Sequence, residues 1–140
     1  MQKIWRNILF LYSLFLIVLH LGFRNKLLNS KINLIPFSTI KRYILHHEHF
    51  NNDIIWTNLV LRFAVFVVLG ILVALAFQKL NIKVCWQSGV AVLVSTILLE
   101  IIQYTLKIGY FDIDAVILAV MGYLAGLLIT RKAFLDKNNN

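Results

Sequence analysis

From Trp56 to Phe77 the chain reads WTNLVLRFAVFVVLGILVALAF, a run whose one charged residue is Arg62. As a helix at 1.5 Å per residue it covers about 33 Å, slightly more than the ~30 Å hydrocarbon core of a bilayer. A soluble domain has no use for such a run, and three more like it follow the same rule: Ile4 to Phe23, Val84 to Leu106 and Ile113 to Thr130. The composition agrees, with 60% hydrophobic and 14% charged residues, where soluble chains carry roughly 25% charged. The expected class is therefore all-α, a four-helix transmembrane bundle. Residues 1–134 form one integral membrane domain, and 135–140 form a polar tail.

The first run follows Lys3 and Arg6 but lacks a small-residue cleavage site, so it reads as a retained span and not as a signal peptide. The excess of 14 Lys+Arg over 6 Asp+Glu does not indicate nucleic acid. The cations sit at the ends of apolar runs, without the interleaved aromatics of a nucleic-acid face. Placed inside with the N-terminus are Lys3, Arg6, Lys79, Lys83, Arg131, Lys132 and Lys137; outside are Arg24, Lys26, Lys31, Lys41, Arg42 and Lys107. The inside set lies tight against span ends, where cations set orientation most strongly, so both termini are expected in the cytoplasm. Trp5, Trp56, Trp86, Tyr104, Tyr110 and Phe111 fall near span ends and read as interfacial anchors.

The loop Arg24–Ile55 is too long for a plain connector. It carries NLIPF (Asn33–Phe37), where Pro36 turns Ile35 away from helix. It also carries YILHHEHF (Tyr43–Phe50), whose apolar alternation suggests a short segment lying on the interface. The cluster His46, His47, Glu48, His49 lacks an i, i+4 histidine pair and reads as a solvated or headgroup-facing patch. No metal or cofactor motif is expected. Cys85 stands alone at the inner end of its span and reads as an apolar filler.

The polar residues inside the spans gather at one end. Arg62 lies about 9 Å below the outer boundary and Glu100 about 10 Å below it, counted at 1.5 Å per residue. A charge at depth costs on the order of 2.5–3.5 kcal/mol by insertion scales, which a partner of opposite sign offsets, so Arg62 and Glu100 are expected to pair. On helical spacing Asn58 and Arg62 share a face, as do Glu100, Gln103 and Lys107. Asp112 and Asp114 sit where the last span begins, an end that favours negative charge. Along that span Asp112, Ala115, Ala119, Gly122 and Gly126 make a stripe of small residues, including the GxxxG of GYLAG. Such a stripe suits close helix packing or, through Gly122 and Gly126, association with a second copy.

NLIPF, then N-x11-G from Asn58 to Gly70, then E-x-x-Q at Glu100 and Gln103, then FDID with a late glycine together resemble the VanZ-like family of small bacterial membrane proteins. The likeness runs from Asn33 to Gly126. Where the family usually reads N-L-x-x-N-x-x-x-F-x-P-x-G, this chain keeps Asn58, Phe66 and Gly70 but has Arg62 for the second asparagine and Val68 for the proline. Where it usually reads F-D-x-D-D-x-x-x-N, Phe111, Asp112 and Asp114 match while Ala115 and Ala119 replace the second aspartate of the pair and the asparagine. One carboxylate is lost and one cation gained, moving the site two charges toward positive.

The resemblance implies a multi-pass protein of the bacterial plasma membrane that lowers susceptibility to teicoplanin-type lipoglycopeptides. Its pocket would contain Asn33, Asn58, Arg62, Glu100, Gln103, Asp112 and Asp114, facing a lipid-linked cell-wall precursor or the lipoglycopeptide. Three other readings stay open on the residues. Glu100 with Asp112 or Asp114 could serve as general acid and base in an intramembrane enzyme acting on a head group, although no activated nucleophile accompanies them. The carboxylates could mark a proton path, joined by His20, or they could simply bond the helices together.

Overall fold

A computed structural model describes residues 2–22, 32–45, 56–77 and 81–138, with the side chains of residues 22, 56–58 and 134–138 left aside. Helix α1 spans Gln2–Gly22, a two-residue strand β1 spans Ile32–Asn33, and a short helix α2 spans Ser38–Leu45. A π-helical segment, Trp56–Leu61, leads into α3 at Arg62–Phe77. Helix α4 covers Ile82–Thr105, β2 covers Phe111–Asp112, and α5 covers Ile113–Asn138. Four of these helices are long and apolar enough to cross a membrane.

Local chemistry explains the boundaries. Asn81 accepts the amide of Val84 at 2.8 Å and so caps α4 at its start. The far end of α4 closes in a Schellman turn: Lys107 N donates to Tyr104 O at 3.1 Å and Ile108 N to Gln103 O at 3.0 Å. Lys107, not the nearby Gly109, takes the left-handed position, at φ 55°. Asp112 caps α5, its Oδ1 accepting Asp114 N at 3.1 Å. The last helix continues beyond Thr130, where the apolar run ends, because Arg131, Lys132 and Ala133 are good helix formers and no breaker follows them. The segment expected as a polar tail is thus helical as far as Asn138.

The helices are arranged around α5. Half of the apolar window of α5 is buried inside the protein, against 6% of that of α1, so α5 is central and α1 peripheral. The closest packing joins α3 to α5; α1 rests on α3, and α4 on α5. Three glycines set the α3–α5 distance. A Cβ on Gly126 would overlap the carbonyl of Val67, one on Gly122 the carbonyl of Phe63, and one on Gly70 the carbonyl of Tyr123. Ala115 and Ala119 continue the same seam, 5% and 1% exposed. Backbones that approach this closely gain packing that lipid, itself apolar, cannot match. The GYLAG face that the sequence offers to a second copy is therefore filled by α3 of the same chain.

Below the seam Leu16, Phe66, Leu69, Val73, Val92 and Tyr123 form an apolar core. Two tyrosines bring a hydroxyl into it and satisfy it there: Tyr12 donates to Val65 O at 2.8 Å, and Tyr123 to Ser88 Oγ. The large apolar side chains on the outside, such as Phe10, Leu11, Val18 and Leu128, face outward as lipid-contacting residues do.

Candidate functional site

The polar end of the bundle is a connected set of hydrogen bonds that begins at Glu100. This side chain is 1% exposed, and its carboxylate is charged at little cost only if it is surrounded by donors. Arg62 Nη1, at the first turn of α3, donates to Glu100 Oε1 at 2.9 Å. His20 Nε2, near the end of α1, lies 3.5 Å from the same oxygen, and Asp112 N donates to Oε2 at 3.3 Å. One carboxylate on α4 therefore ties together α1, α3 and the entrance to α5. Arg62 and His20 are themselves about nine-tenths buried, at 11% and 10% exposure, so water screens the cluster weakly.

Gln103, one turn along α4 and fully buried, repeats the link to α1. Its Nε2 donates to His20 O at 2.7 Å, satisfying a carbonyl that the end of α1 would leave unpaired. Its Oε1 has no donor among the described residues.

Asp114 and Asp112 act differently, because they address the loop. The NLIPF segment returns to the bundle as β1, which pairs in parallel with β2 so that Ile32 lies beside Phe111 and Asn33 beside Asp112. Asn33 Nδ2 donates to Asp112 Oδ1 at 2.9 Å and to Thr39 Oγ1 at 3.0 Å, while its Oδ1 accepts Ser38 Oγ at 2.7 Å and Ile35 N at 3.3 Å. Asp114, 1% exposed, receives the free amides at the start of α2: Phe37 N on Oδ1, and Thr39 N and Ile40 N on Oδ2 at 2.7 and 3.2 Å. A carboxylate from α5 thus caps a helix more than seventy residues earlier in the chain, where amides and helix dipole both favour a negative charge. Phe37, whose amide meets Asp114, has φ 63°, a left-handed conformation unusual for a bulky residue.

Of the residues singled out from the sequence, Asn33, Arg62, Glu100, Asp112 and Asp114 enter this network directly, and Gln103 joins through His20. The side chain of Asn58 lies outside the described residues, as do His46, His47, Glu48 and His49. The backbone at Asn58 belongs to the π-helical segment that leads into Arg62. Ala115, Ala119, Gly122 and Gly126 lie on the seam. Lys107 points away, exposed at the turn after α4. Ser38, Thr39 and the amides of Phe37, Thr39 and Ile40 join the network without having been singled out; Ser-Thr directly after a proline turn is an N-terminal helix signal that marks them.

The arrangement can do two things chemically: hold charge at depth, and fasten a loop across the mouth of the bundle. Both oxygens of Asp114 and both oxygens of Glu100 already accept donors. Geometry of this kind favours positioning over proton transfer.

These features define a small four-span integral membrane protein whose polar end is closed by a loop pinned on paired acids. The family model for VanZ/LLP1 matches residues 4–135, nearly the whole chain, and the protein belongs to that family. No curated protein and no solved structure matches the chain.

Proposed function

We propose that this protein lowers susceptibility to teicoplanin-type lipoglycopeptides, acting from the outer leaflet of a bacterial plasma membrane with both termini in the cytoplasm. The carrying observation is the family match over residues 4–135, together with the convergence of Arg62, Glu100, Asp112 and Asp114 at one end of the bundle. Among the described residues Lys41, Arg42 and Lys107 fall on that same end, and Lys3, Arg6, Lys83, Arg131 and Lys132 fall on the other, tight against span ends, which supports placing the polar site outside. In this reading a lipid-linked wall precursor or the lipoglycopeptide itself meets the loop-covered mouth, and the acids serve to hold that mouth in shape. An enzyme of head-group chemistry is the weaker reading, since the carboxylates it would need are engaged by arginine and backbone amides.

The test is expression in a susceptible Gram-positive host. Teicoplanin tolerance is expected to rise several-fold while vancomycin tolerance stays level, and Glu100→Ala is expected to abolish the gain. Unchanged tolerance to both drugs, with the unaltered protein verified in the membrane, overturns the proposal.

A further inference from the structure

Away from the polar end, α1 and α4 do not close on each other. Because α1 rests on α3 and α4 rests on α5, a groove of about 530 Å³ is left between α1 and α4, floored by Phe66, Leu69 and Val73 of α3. Along α4 it runs from Val84 to Leu99, about 22 Å of helix. Four hydroxyls line it, which would suggest a polar guest, yet each donates to a carbonyl of its own helix. Ser13 donates to Leu9 O, Ser88 to Val84 O, Ser95 to Val92 O and Thr96 to Val92 O. With those donors satisfied, the wall beyond Gln87 presents mostly hydrocarbon, and water has few partners there.

The width decides between two apolar occupants. Allowing for the radius of an occupant's atoms, 530 Å³ spread over about 22 Å leaves a groove roughly 8 Å across, narrower than the ~10–12 Å diameter of a helix with its side chains. A helix from a second copy does not fit; a single hydrocarbon chain does.

The end of the groove away from the polar cluster carries charge. On α1, Arg6 is one turn before Leu9 and two before Ser13, both in the groove wall. On α4, Lys83 is one turn before Gln87, which begins the wall stripe Gln87, Ala91, Ser95, Leu99. Both cations are exposed, at the ends of α1 and α4 that lie away from the polar cluster. The other end stops one turn short of Glu100 and Gln103, since Thr96 and Leu99 are the last α4 residues to line it.

From this we infer that the protein binds one anionic phospholipid, with an acyl chain in the α1–α3–α4 groove and the phosphate between Arg6 and Lys83. This is a lipid site at the membrane face opposite the polar cluster, and it stands independently of the resistance reading.

The full-length protein, reconstituted in phosphatidylcholine nanodiscs doped with a phosphatidylglycerol bearing a photoreactive group near its chain end, tests the inference by adduct mapping. Adducts are expected on groove residues such as Leu16, Val73 and Val92, displaced by plain phosphatidylglycerol but not by equal phosphatidylcholine. Arg6→Gln with Lys83→Gln is expected to lower labelling about thirtyfold, as two cations at a membrane surface predict. Ala91→Phe with Ser95→Phe, which fills the channel, removes it, while Val94→Phe on the outward face leaves it unchanged. Adducts scattered evenly over outward positions such as Phe10 and Leu128, equal displacement by phosphatidylcholine, or a chain-to-chain adduct each overturn the inference. The adduct map of the unaltered protein separates these outcomes even if a variant fails to fold.

Discussion

The two sides of this bundle are held by different physics. On one side α3 and α5 meet backbone to backbone over Gly70, Gly122 and Gly126, where no Cβ fits. On the other, α4 stands off from α1 and α3 across a groove and is joined to them at one end by polar bonds: Arg62 to Glu100, His20 beside Glu100, and Gln103 to the carbonyl of His20. In lipid the seam is the simpler solution, because close packing of small residues needs no desolvated charge. The polar clasp is costly in the same medium, and its cost is offset only while every member has its partner. A chain built by the seam rule alone would have no groove and no way to tie down its loop.

The clasp should therefore give the largest single-residue effect. Arg62→Met takes away the guanidinium that meets Glu100 Oε1 at 2.9 Å, and breaking a buried pair from one side costs about 3–5 kcal/mol. Arg62→Met with Glu100→Met should recover most of that loss, since neither charge is then buried. Thermal unfolding in one detergent, read for both variants, decides it; a double variant as unstable as the single one means the pair is not what joins α3 to α4.

How much of this is readable from the chain differs between the same two sides. The four spans follow from run length alone, and the small stripe on α5 follows from 3.6-residue spacing, because both depend on local regularity. Arg62 and Glu100 are also legible: charges in apolar runs are rare enough that equal depth suggests a partner. The loop contacts are not. Asp114 caps α2 across about seventy-five residues of sequence, and a cap of that kind depends on where β1 and β2 bring the chain, which no local pattern encodes. The role of His20 is hidden for a related reason, since its carbonyl, as much as its ring, faces α4.

The next prediction sets seam against groove directly. Gly126→Ala must push α3 and α5 apart, because the new methyl group meets the carbonyl of Val67 and the Cα of Gly70, and rigid backbone gives way poorly. The expected loss is about 3 kcal/mol, at the upper end for overpacking. Ala91→Val adds more volume on the groove wall and is expected to change stability by less than about 0.5 kcal/mol, as a substitution into open space does. Equal losses for the two, read by thermal unfolding in the same detergent, would erase the distinction between the sides.

The smallest effects belong to the loop that the clasped end secures. Asp114→Asn replaces one accepting oxygen with a donor that faces the amides of Phe37, Thr39 and Ile40. A lost cap of this type costs about 1–2 kcal/mol, and the loss should appear locally, as faster hydrogen exchange at residues 37–40, with the four spans unaffected. Phe37 then supplies the control. Its φ of 63° carries a penalty of about 1–2 kcal/mol that glycine does not bear, and its side chain is 56% exposed, so Phe37→Gly gives up little packing. In the Asp114→Asn background it should restore part of the lost protection; if exchange at 37–40 accelerates further instead, the left-handed turn is held by the Phe37 side chain and not by the Asp114 carboxylate.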